Sequence, residues 1–409
     1  MLVLCPMNAH GQSPYSRIDS YALATPVQPE QDIQTLAAYL SAGAQTDLEK
    51  ARCIYRWETD RISYNAQAFL AGIQSDGSPE STLRARTAVC DGYAKLYAAL
   101  GQAAGLNVTV VPGFCKGYGF DALHARPEAA NHAWNAIWLD GRWQLIDPTW
   151  GAGYIDPSGH FVKRYSEHFF LTSPEEFICD HFPLDPANQL LPQALSRQQF
   201  LDKAEVMPAF YHYGLHLESH AQAVIQANQS VTVTLSGPPD LDFMGVLERD
   251  GQKPSYPCTL VTKRDRLYTI EARFPREGRY DLKLYARRHQ EGQVGDLDCV
   301  ACYRIEAGQA MADFDSYPIT FDNYVTREAQ LIQPRTAHLI AGHQQTFRLE
   351  VPGALAVRIE NDGSPGVELA RSGNVFAGNV WLRPGRASIY ARFGSSESYL
   401  GLAQLTVVQ

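Results

Sequence analysis

Residues 30–105 carry hydrophobic positions at the spacing of α-helices. In the stretch "DLEKARCIYRWETDRISYN" (47–65), Ala51, Ile54, Tyr55 and Glu58 recur every three or four residues and share one helix face. Because this pattern extends over several turns, we predict a long helix there. Gly and polar residues between such stretches indicate the connections.

A second helix is predicted from the stretch "CDGYAKLYAALGQAAGL" (90–106). Its apolar face carries Tyr93, Leu96, Tyr97 and Leu100 at helical spacing. Gly105 is a typical helix stop. The predicted helix therefore starts at or next to a cysteine, at the point where a loop ends.

Strand patterns follow in "NVTVVPGF" (107–114), "HAWNAIWL" (132–139) and "RWQLIDPTW" (142–150). Asp140-Gly141 separates the last two and is a strong signal for a two-residue hairpin turn. In that register Leu139 pairs with Arg142. Helices followed by a sheet predict an α+β domain.

After about residue 205 the pattern changes to short alternating runs separated by turn residues, which is typical of β-sandwiches. "REGRYDLKLYAR" (276–287) resembles "RPGRASIYAR" (383–392), and their glycines Gly278 and Gly385 differ by 107 in number, which suits tandem domains. We predict an N-terminal extension and three domains, namely 1–29, 30–204, 205–310 and 311–409.

Composition agrees with a globular, multidomain protein: 409 residues, 45% hydrophobic and 19% charged. The net charge of −9 argues against broad binding to nucleic acid or anionic membranes. The chain has no apolar run of 18 residues, so we expect no integral membrane segment. The start "MLVLCPMNAHGQSP" leaves exported or periplasmic and cytoplasmic locations equally open, and the oligomeric state is undetermined.

The sequence predicts neither a cofactor nor a metal site. Glycine-rich phosphate loops are absent. The pair Cys299 and Cys302 forms a C-x-x-C in "DLDCVACYRI", a strand-like stretch in which residues three apart point to opposite faces, so we expect buried strand cysteines. The eight cysteines do not form a disulfide framework. Four histidines of the first domain show no metal-like spacing: His124, His132, His160 and His168.

Three residues of the first domain form a candidate catalytic set: Cys90, His132 and Asp147. Each alone has an ordinary structural explanation, as a core cysteine, a strand histidine and a turn aspartate. In the hairpin register, however, His132 and Asp147 are diagonal neighbours on one face, about 7–8 Å apart in backbone and bridgeable by side chains. A carboxylate there can hold the imidazole and stabilise its cation.

The rest of that face is apolar and consists of Ala136, Trp138, Trp143 and Leu145. We expect it to pack against the helix that begins at Cys90, which would bring the thiol to His132. A helix N-terminus and an adjacent imidazole both favour the thiolate, and the backbone N–H of Cys90 can help stabilise an oxyanion. The set is therefore coherent as an acyl-transfer site.

The motif "NHAWNAIWLDGRWQLIDPTW" (131–150), preceded by "TAVCDGYAKLYAALGQAAGL" (87–106), resembles the transglutaminase-like superfamily. The resemblance implies a papain-like core whose Cys-His-Asp triad falls on Cys90, His132 and Asp147. The stretch "HFFLTSPEEFICDHFPLDPANQLL" (168–191) is similar to the branch typified by kyphoscoliosis peptidase and cytokinesis-associated relatives, which implies β-sandwich domains after the core.

Transglutaminases proper place a tryptophan upstream of the cysteine as an oxyanion donor. Trp57 is upstream, but its helix-like surroundings favour core packing, and Tyr64 is a second candidate. We expect the tryptophans Trp134, Trp143 and Trp150 to pack the hairpin or line the cleft.

The leading hypothesis is a thiol enzyme that acts on a protein or peptide amide, with water or an amine as acyl acceptor. Hydrolysis is preferred because the branch resembles peptidases. The alternative is a catalytically silent scaffold that binds a protein or glycan partner through its sandwich domains. Residues 113–130 are long for a connection and could form a lid over the cleft. The sequence does not define the substrate-binding residues.

Overall fold

The computed structural model describes residues 13–73, 76–120, 130–289, 295–311, 314–395 and 398–409. The chain divides into two compact units, Met1–Leu201 and Asp202–Gln409. The first combines helices with a sheet, and the second consists mainly of strands. The predicted fold class, an α+β core followed by all-β sandwiches, is confirmed. Among the described residues, no helix is long and apolar enough to cross a membrane.

The helices of the first unit are α1 Ser16–Leu23, α2 Ile33–Ala42, α3 Asp47–Arg61, α4 Ala66–Leu70, α5 Pro79–Ala85, α6 Cys90–Ala103, α7 Pro148–Ala152, α8 Pro174–Phe177 and α9 Arg197–Asp202. Short polar side chains begin several of them. The Asp32 side chain accepts a hydrogen bond from the backbone of Thr35 at the start of α2, and that of Thr46 does so for Glu49 in α3. Both long helices predicted from the hydrophobic pattern are present.

The strands of the first unit are β1 Ser63–Tyr64, β2 Thr87–Ala88, β3 Val108–Cys115, β4 His132–Leu139, β5 Arg142–Ile146, β6 Gly153–Ile155, β7 Phe161–Lys163, β8 Phe170–Thr172 and β9 His181–Pro183. The central sheet has the order β8-β5-β4-β3-β9, and β1–β2 and β6–β7 are separate pairs. The central strand of this sheet is therefore β4, which begins at His132.

The β4–β5 hairpin has the predicted register. Leu139 pairs with Arg142 across the turn, and the pairing runs back to Asn135 and Ile146. Asp140 and Gly141 have φ of 51° and 78°, the left-handed conformations that a two-residue turn of this kind requires. The turn residues thus set which side chains of the two strands share a face.

The hairpin packs on α6, but the prediction of which hairpin face does so is wrong. Tyr93, Leu96, Tyr97 and Leu100 of α6 belong to one buried cluster with Ile137, Leu139 and Ile146. Trp134, Ala136 and Leu145 face the other way and pack with Phe169 and Phe177, the latter from α8. The reason is that β4 is buried on both faces for most of its length, so alternation alone does not tell which face receives α6.

The second unit has the helices α10 Pro208–His212 and α11 Asp322–Thr326. Its strands as far as residue 307 are β10 Glu205–Val206, β11 His216–Leu217, β12 Val224–Ala227, β13 Ser230–Ser236, β14 Leu241–Glu248, β15 Thr259–Arg264, β16 Leu267–Arg273, β17 Gly278–Arg288 and β18 Asp298–Ala307. They form two sheets, β10-β18-β17-β14 with β12 beside β18, and β11-β13-β16-β15.

The remaining strands are β19 Ile319–Thr320, β20 Gln330–Gln333, β21 His338–Ile340, β22 Gln344–Glu350, β23 Ala356–Asn361, β24 Val367–Glu368, β25 Ala370–Ser372, β26 Val375–Trp381, β27 Gly385–Arg392 and β28 Leu400–Val408. They form the sheets β19-β28-β27-β23-β24, with β21 beside β28, and β20-β22-β26-β25. The two glycines of the sequence repeat open β17 and β27 with φ of 122° and 134°. The domain limits at residues 204 and 310 stay predictions.

The two cysteines of the C-x-x-C stretch lie on the same face of β18, which corrects the expectation that they point apart. The register between β17 and β18 shifts after Leu284, so that Cys302 pairs with Lys283 and Cys299 pairs with Tyr285. The bulge inserts one residue between the cysteines and reverses the alternation. Both thiols are partly buried, and burial raises the pKa of Cys299 to about 11.

Candidate active site

Cys90 is the first residue of α6 and is half-buried. The residue before it, Val89, is extended and provides no side-chain cap for the helix. The first backbone N–H groups of a helix lack intrahelical acceptors, so this end of α6 offers donors and a positive dipole end beside the thiol. Such an end can stabilise negative charge on sulfur or on an oxyanion.

His132 lies at the start of β4, where its side chain is buried against both other members of the candidate set. Its Nε2 is 2.8 Å from Asp147 Oδ2. The Cys90 side chain is close enough to the ring to raise the pKa of His132. The structure therefore brings together Cys90, His132 and Asp147, whose catalytic roles remain a prediction.

Asp147 leaves the end of β5 and caps helix α7. Its Oδ1 accepts backbone N–H groups from Thr149 at 2.8 Å and Trp150 at 3.1 Å, while Oδ2 faces the imidazoles. Burial would raise the pKa of this carboxyl, but the charge of His132 and hydrogen bonds from His132 and His181 hold it well below its usual range. Asp147 is therefore ionised at neutral pH.

The imidazole of His132 is held in its protonated form. Burial lowers its pKa, but the Cys115 sulfur and the Asp147 carboxylate, with a hydrogen bond to Cys90, raise it well above the ordinary value. Burial raises the pKa of the Cys115 thiol to about 12, so that sulfur is neutral at neutral pH. The charge that stabilises the imidazolium is therefore that of Asp147.

His181 completes the cluster and was not identified from the sequence. It opens β9 and is fully buried, with Nε2 3.0 Å from Asp147 Oδ2 and Nδ1 2.5 Å from Asp180 Oδ1. The stretch 168–191 contains it, and an Asp-His pair ahead of a short apolar run was the available signal. Its position next to β3 depends on a long-range pairing, Cys115 with His181, which no local pattern encodes.

Aromatic rings enclose the two histidines. The Trp150 ring lies 5.6 Å from the His132 ring and 4.5 Å from the His181 ring, centroid to centroid. Phe177 stacks on His181 at 4.1 Å, and Trp134 meets it edge-on. These rings exclude water from the charged groups, which strengthens their interactions. The predicted role of Trp134 and Trp150 in packing thus extends to the candidate site itself.

His132, Asp147 and His181 also have a spacing that suits a metal ion, because their ligand atoms lie within 4.8 Å of one another. Zinc prefers such nitrogen and oxygen donors. Yet all three atoms are engaged in mutual hydrogen bonds, and the pKa of both histidines is raised although burial opposes it, because carboxylates face them. A metal would have to displace protons from both rings, so the cluster suits hydrogen bonding better.

Trp57 and Tyr64, the two candidates for an oxyanion donor, occupy different positions. The indole N–H of Trp57 donates to Glu30 Oε1 at 2.8 Å, and its ring is fully buried, which agrees with core packing. Tyr64 lies in β1, and burial followed by the charge of Cys90 raises the pKa of its hydroxyl. Tyr64 is therefore the candidate nearer to the thiol along the fold, since it pairs with Ala88, two residues before Cys90.

The segment predicted as a lid begins inside the sheet. Gly113 and Cys115 belong to β3, and the backbone N–H of Lys116 donates to the Asp180 carbonyl. Residues 121–129, including His124, lie outside the described residues, so the lid stays a prediction.

Comparison with known families gives two matches along the chain. Residues 34–148 match the family model of the transglutaminase-like superfamily, and residues 197–318 match the KY-like, immunoglobulin-like domain. The protein thus carries a transglutaminase-like domain followed by a KY-like immunoglobulin-like domain. The resemblance inferred from the sequence motifs is confirmed.

Individual relatives point in the same direction. The chain is 32% identical to kyphoscoliosis peptidase of Mus musculus over 66% of the chain and 40% of that protein. Its identity to kyphoscoliosis peptidase of Homo sapiens is 31%, over 68% of the chain and 41% of that protein. It is also 32% identical to the Lim and transglutaminase domain protein ltd-1 of Caenorhabditis elegans, over 54% of the chain and 32% of that protein. The chain spans about two fifths of the length of the two peptidases.

Proposed function

We propose that the transglutaminase-like domain is a cysteine-dependent acyl-transfer enzyme that acts on amide groups of proteins or peptides. The observation that supports this most directly is the buried pair of His132 and Asp147, 2.8 Å apart, near Cys90 at the start of α6. A nucleophile, a base and an orienting carboxylate in this sequence are the parts that acyl transfer requires. The names of two relatives, both called peptidases, agree with this activity.

In the proposed reaction the Cys90 sulfur attacks the amide carbonyl carbon and forms a tetrahedral oxyanion. The free N–H groups at the start of α6 stabilise that oxygen, with the Tyr64 hydroxyl as a second donor. His132 then gives its proton to the departing nitrogen as the C–N bond breaks. Asp147 keeps the ring oriented and balances its charge throughout.

The resulting thioester reacts with water or with an amine. Water, deprotonated by His132, gives a carboxylic acid and frees the thiol, which is peptide hydrolysis or glutamine deamidation. An amine gives a new amide, which is a crosslink. We propose hydrolysis as the main reaction because the chain resembles proteins named as peptidases.

The test is turnover of casein and of a glutaminyl peptide by the wild-type chain, Cys90→Ala and Cys299→Ala. Cys299 is also a half-buried cysteine and lies in the second unit, so its variant is a matched control. We expect activity in the wild type and in Cys299→Ala, and none in Cys90→Ala. Turnover that survives in Cys90→Ala contradicts the proposal, and a wild type without turnover favours the scaffold alternative.

A further inference from the structure

We propose that His181 is a positioning residue for the candidate catalytic set, holding Asp147 in the one orientation that presents its Oδ2 to His132. This inference rests on the proposed function. His181 contacts Asp147 directly, with its Nε2 3.0 Å from Oδ2, the oxygen that also faces His132. Its effect would pass through Asp147.

The hydrogen bonds around Asp147 support this role. Its Oδ1 accepts two backbone N–H groups of α7, at 2.8 and 3.1 Å. Its Oδ2 receives the rings of His132 and His181, at 2.8 and 3.0 Å. The α7 contacts fix one oxygen only, and a carboxylate can still rotate about that anchor. The bond from His181 fixes the second oxygen, so rotation away from His132 breaks a buried hydrogen bond.

His181 is itself held firmly in place. Its Nδ1 lies 2.5 Å from Asp180 Oδ1, and its ring is stacked on Phe177. The backbone of β3 separates it from β4, since Gly113 pairs with His132 on one side and Cys115 with His181 on the other. A Cβ at Gly113 would lie 2.2 Å from the Trp134 ring. Only glycine therefore lets the Trp134 ring of β4 lie against β3 at this position.

The charges that face His181 come from several elements. Asp180 precedes it, Asp147 follows β5, and His132 lies on β4. Burial lowers the pKa of His181, but the charge of Asp180 and the hydrogen bonds to Asp147 and Asp180 raise it overall. Two other titratable groups lie nearby. Burial and the His181 charge lower the pKa of His168, although the Asp180 charge raises it. Burial raises the pKa of Cys115, so its thiol is neutral.

Two carboxylates thus face His181, Asp147 at 3.0 Å and Asp180 at 2.5 Å, and both favour its protonated form, which would balance part of the Asp147 charge. If a neutral side chain that still donates to Asp147 replaced His181, the Asp147 charge would interact more strongly with His132. The pKa of His132 should then rise, because one positive neighbour has been removed. A purely structural residue would change stability without moving this titration.

The experiment compares wild type, His181→Gln, His181→Phe and Asp180→Asn, with Phe177→Leu as the packing control. Ring NMR of labelled histidines measures the His132 titration, and the rate of Cys90 alkylation against pH measures the thiol. We expect His132 to titrate at higher pH in His181→Gln, and less so in Asp180→Asn, which alters a partly exposed side chain and should not impair folding.

His181→Phe should reduce kcat about tenfold or more with little change in KM, in the range typical for lost outer hydrogen-bond partners, and His181→Gln should recover part of that loss. Phe177→Leu should lower stability without shifting the titration. An unchanged kcat in His181→Phe, together with an unchanged His132 titration in His181→Gln, overturns the inference. A wild type without selective Cys90 alkylation contradicts the proposed function instead, so the two failures are distinguishable.

Discussion

His132 Nε2 lies 2.8 Å from Asp147 Oδ2, and both side chains are buried. The contact joins the start of the central strand to the first residue after its hairpin partner. It fixes the orientation of the ring near the start of α6. The predictions below depend on this pair and on the groups around it.

Cys90 should be the cysteine that iodoacetamide modifies first at pH 6. Cys90 is half-buried at the start of α6 near His132, whereas burial raises the pKa of Cys115 to about 12 and of Cys299 to about 11. Mass spectrometry of peptides after brief exposure identifies the modified residue. In His132→Gln the rate should fall about tenfold or more, since the cation is gone. Equal modification of Cys90 and Cys299 contradicts this expectation.

Asp147→Asn should destabilise the protein at neutral pH by about 3–5 kcal/mol, because it breaks a buried charged pair. The folded-state pKa of Asp147 is depressed, so its stabilising contribution is complete above the unfolded value of about 3.9 and is lost as pH falls toward the folded value. Denaturant unfolding of both proteins at several pH values should show the difference shrinking in acid. A difference that is constant with pH would point to packing instead.

The contribution of His132 to stability has the opposite pH dependence and is lost at alkaline pH. Its folded-state pKa is raised, so its contribution is complete below the unfolded value of about 6.5 and is lost as pH rises through the folded value. The wild-type protein should therefore be more stable than His132→Gln by a smaller margin above neutral pH. Unfolding curves at pH 6, 8 and 9.5 provide the measurement, and a growing advantage with pH would be inconsistent with a protonated ring.

Glu58→Met should stabilise the protein at pH 7. Glu58 lies fully buried in α3, and neither of its oxygens has a hydrogen-bond partner among the described residues. Burial, followed by the Asp147 charge, raises its pKa well above normal. The unfolded chain loses this proton above about pH 4.3 while the folded protein keeps it, so the residue costs more stability as pH rises. We expect a gain of about 1–3 kcal/mol from removing the unpartnered carboxyl at any pH, plus a further gain at pH 7 that shrinks as pH falls toward 4.

Glu58→Gln is the matched control for that change, because it removes the titration but keeps a polar group. Its stability relative to wild type should show the same dependence on pH, with a smaller gain. If neither variant changes the slope of stability against pH, Glu58 is not the buried acid that the structure indicates.

Tyr64→Phe should lower kcat about a hundred- to a thousandfold while leaving the unfolding free energy almost unchanged, since one of the two proposed oxyanion donors is lost. Trp57→Phe should lower the unfolding free energy and leave kcat almost unchanged, because the indole N–H donates to Glu30 inside the core. Steady-state kinetics and denaturant unfolding of both variants separate the two roles. A rate loss in Trp57→Phe alone would favour the tryptophan as donor.

Local signals predicted much of this architecture. Asp140-Gly141 predicted the hairpin and its register, and the spacing of Tyr93 to Leu100 predicted α6 and its buried face. These features depend on residues close in sequence. The hairpin alternation was sufficient to place His132 and Asp147 on one face.

Features set by long-range packing were not predicted correctly. The face of β4 that receives α6 depends on which apolar surface the later elements cover, and residues 169–177 cover the Trp134 side. His181 reaches Asp147 only because β9 pairs with β3. The shared face of Cys299 and Cys302 results from a bulge that strand alternation does not reveal.

Asp147 begins helix α7 with the same carboxylate that orients His132. Cys90 has no comparable structural duty, because its side chain caps no helix. Mutation and selection would therefore act on the two residues differently in a descendant without activity: folding alone would retain the aspartate, while the cysteine could drift. Among proteins of this architecture, the residue at the start of α6 is thus the more informative guide to whether chemistry persists.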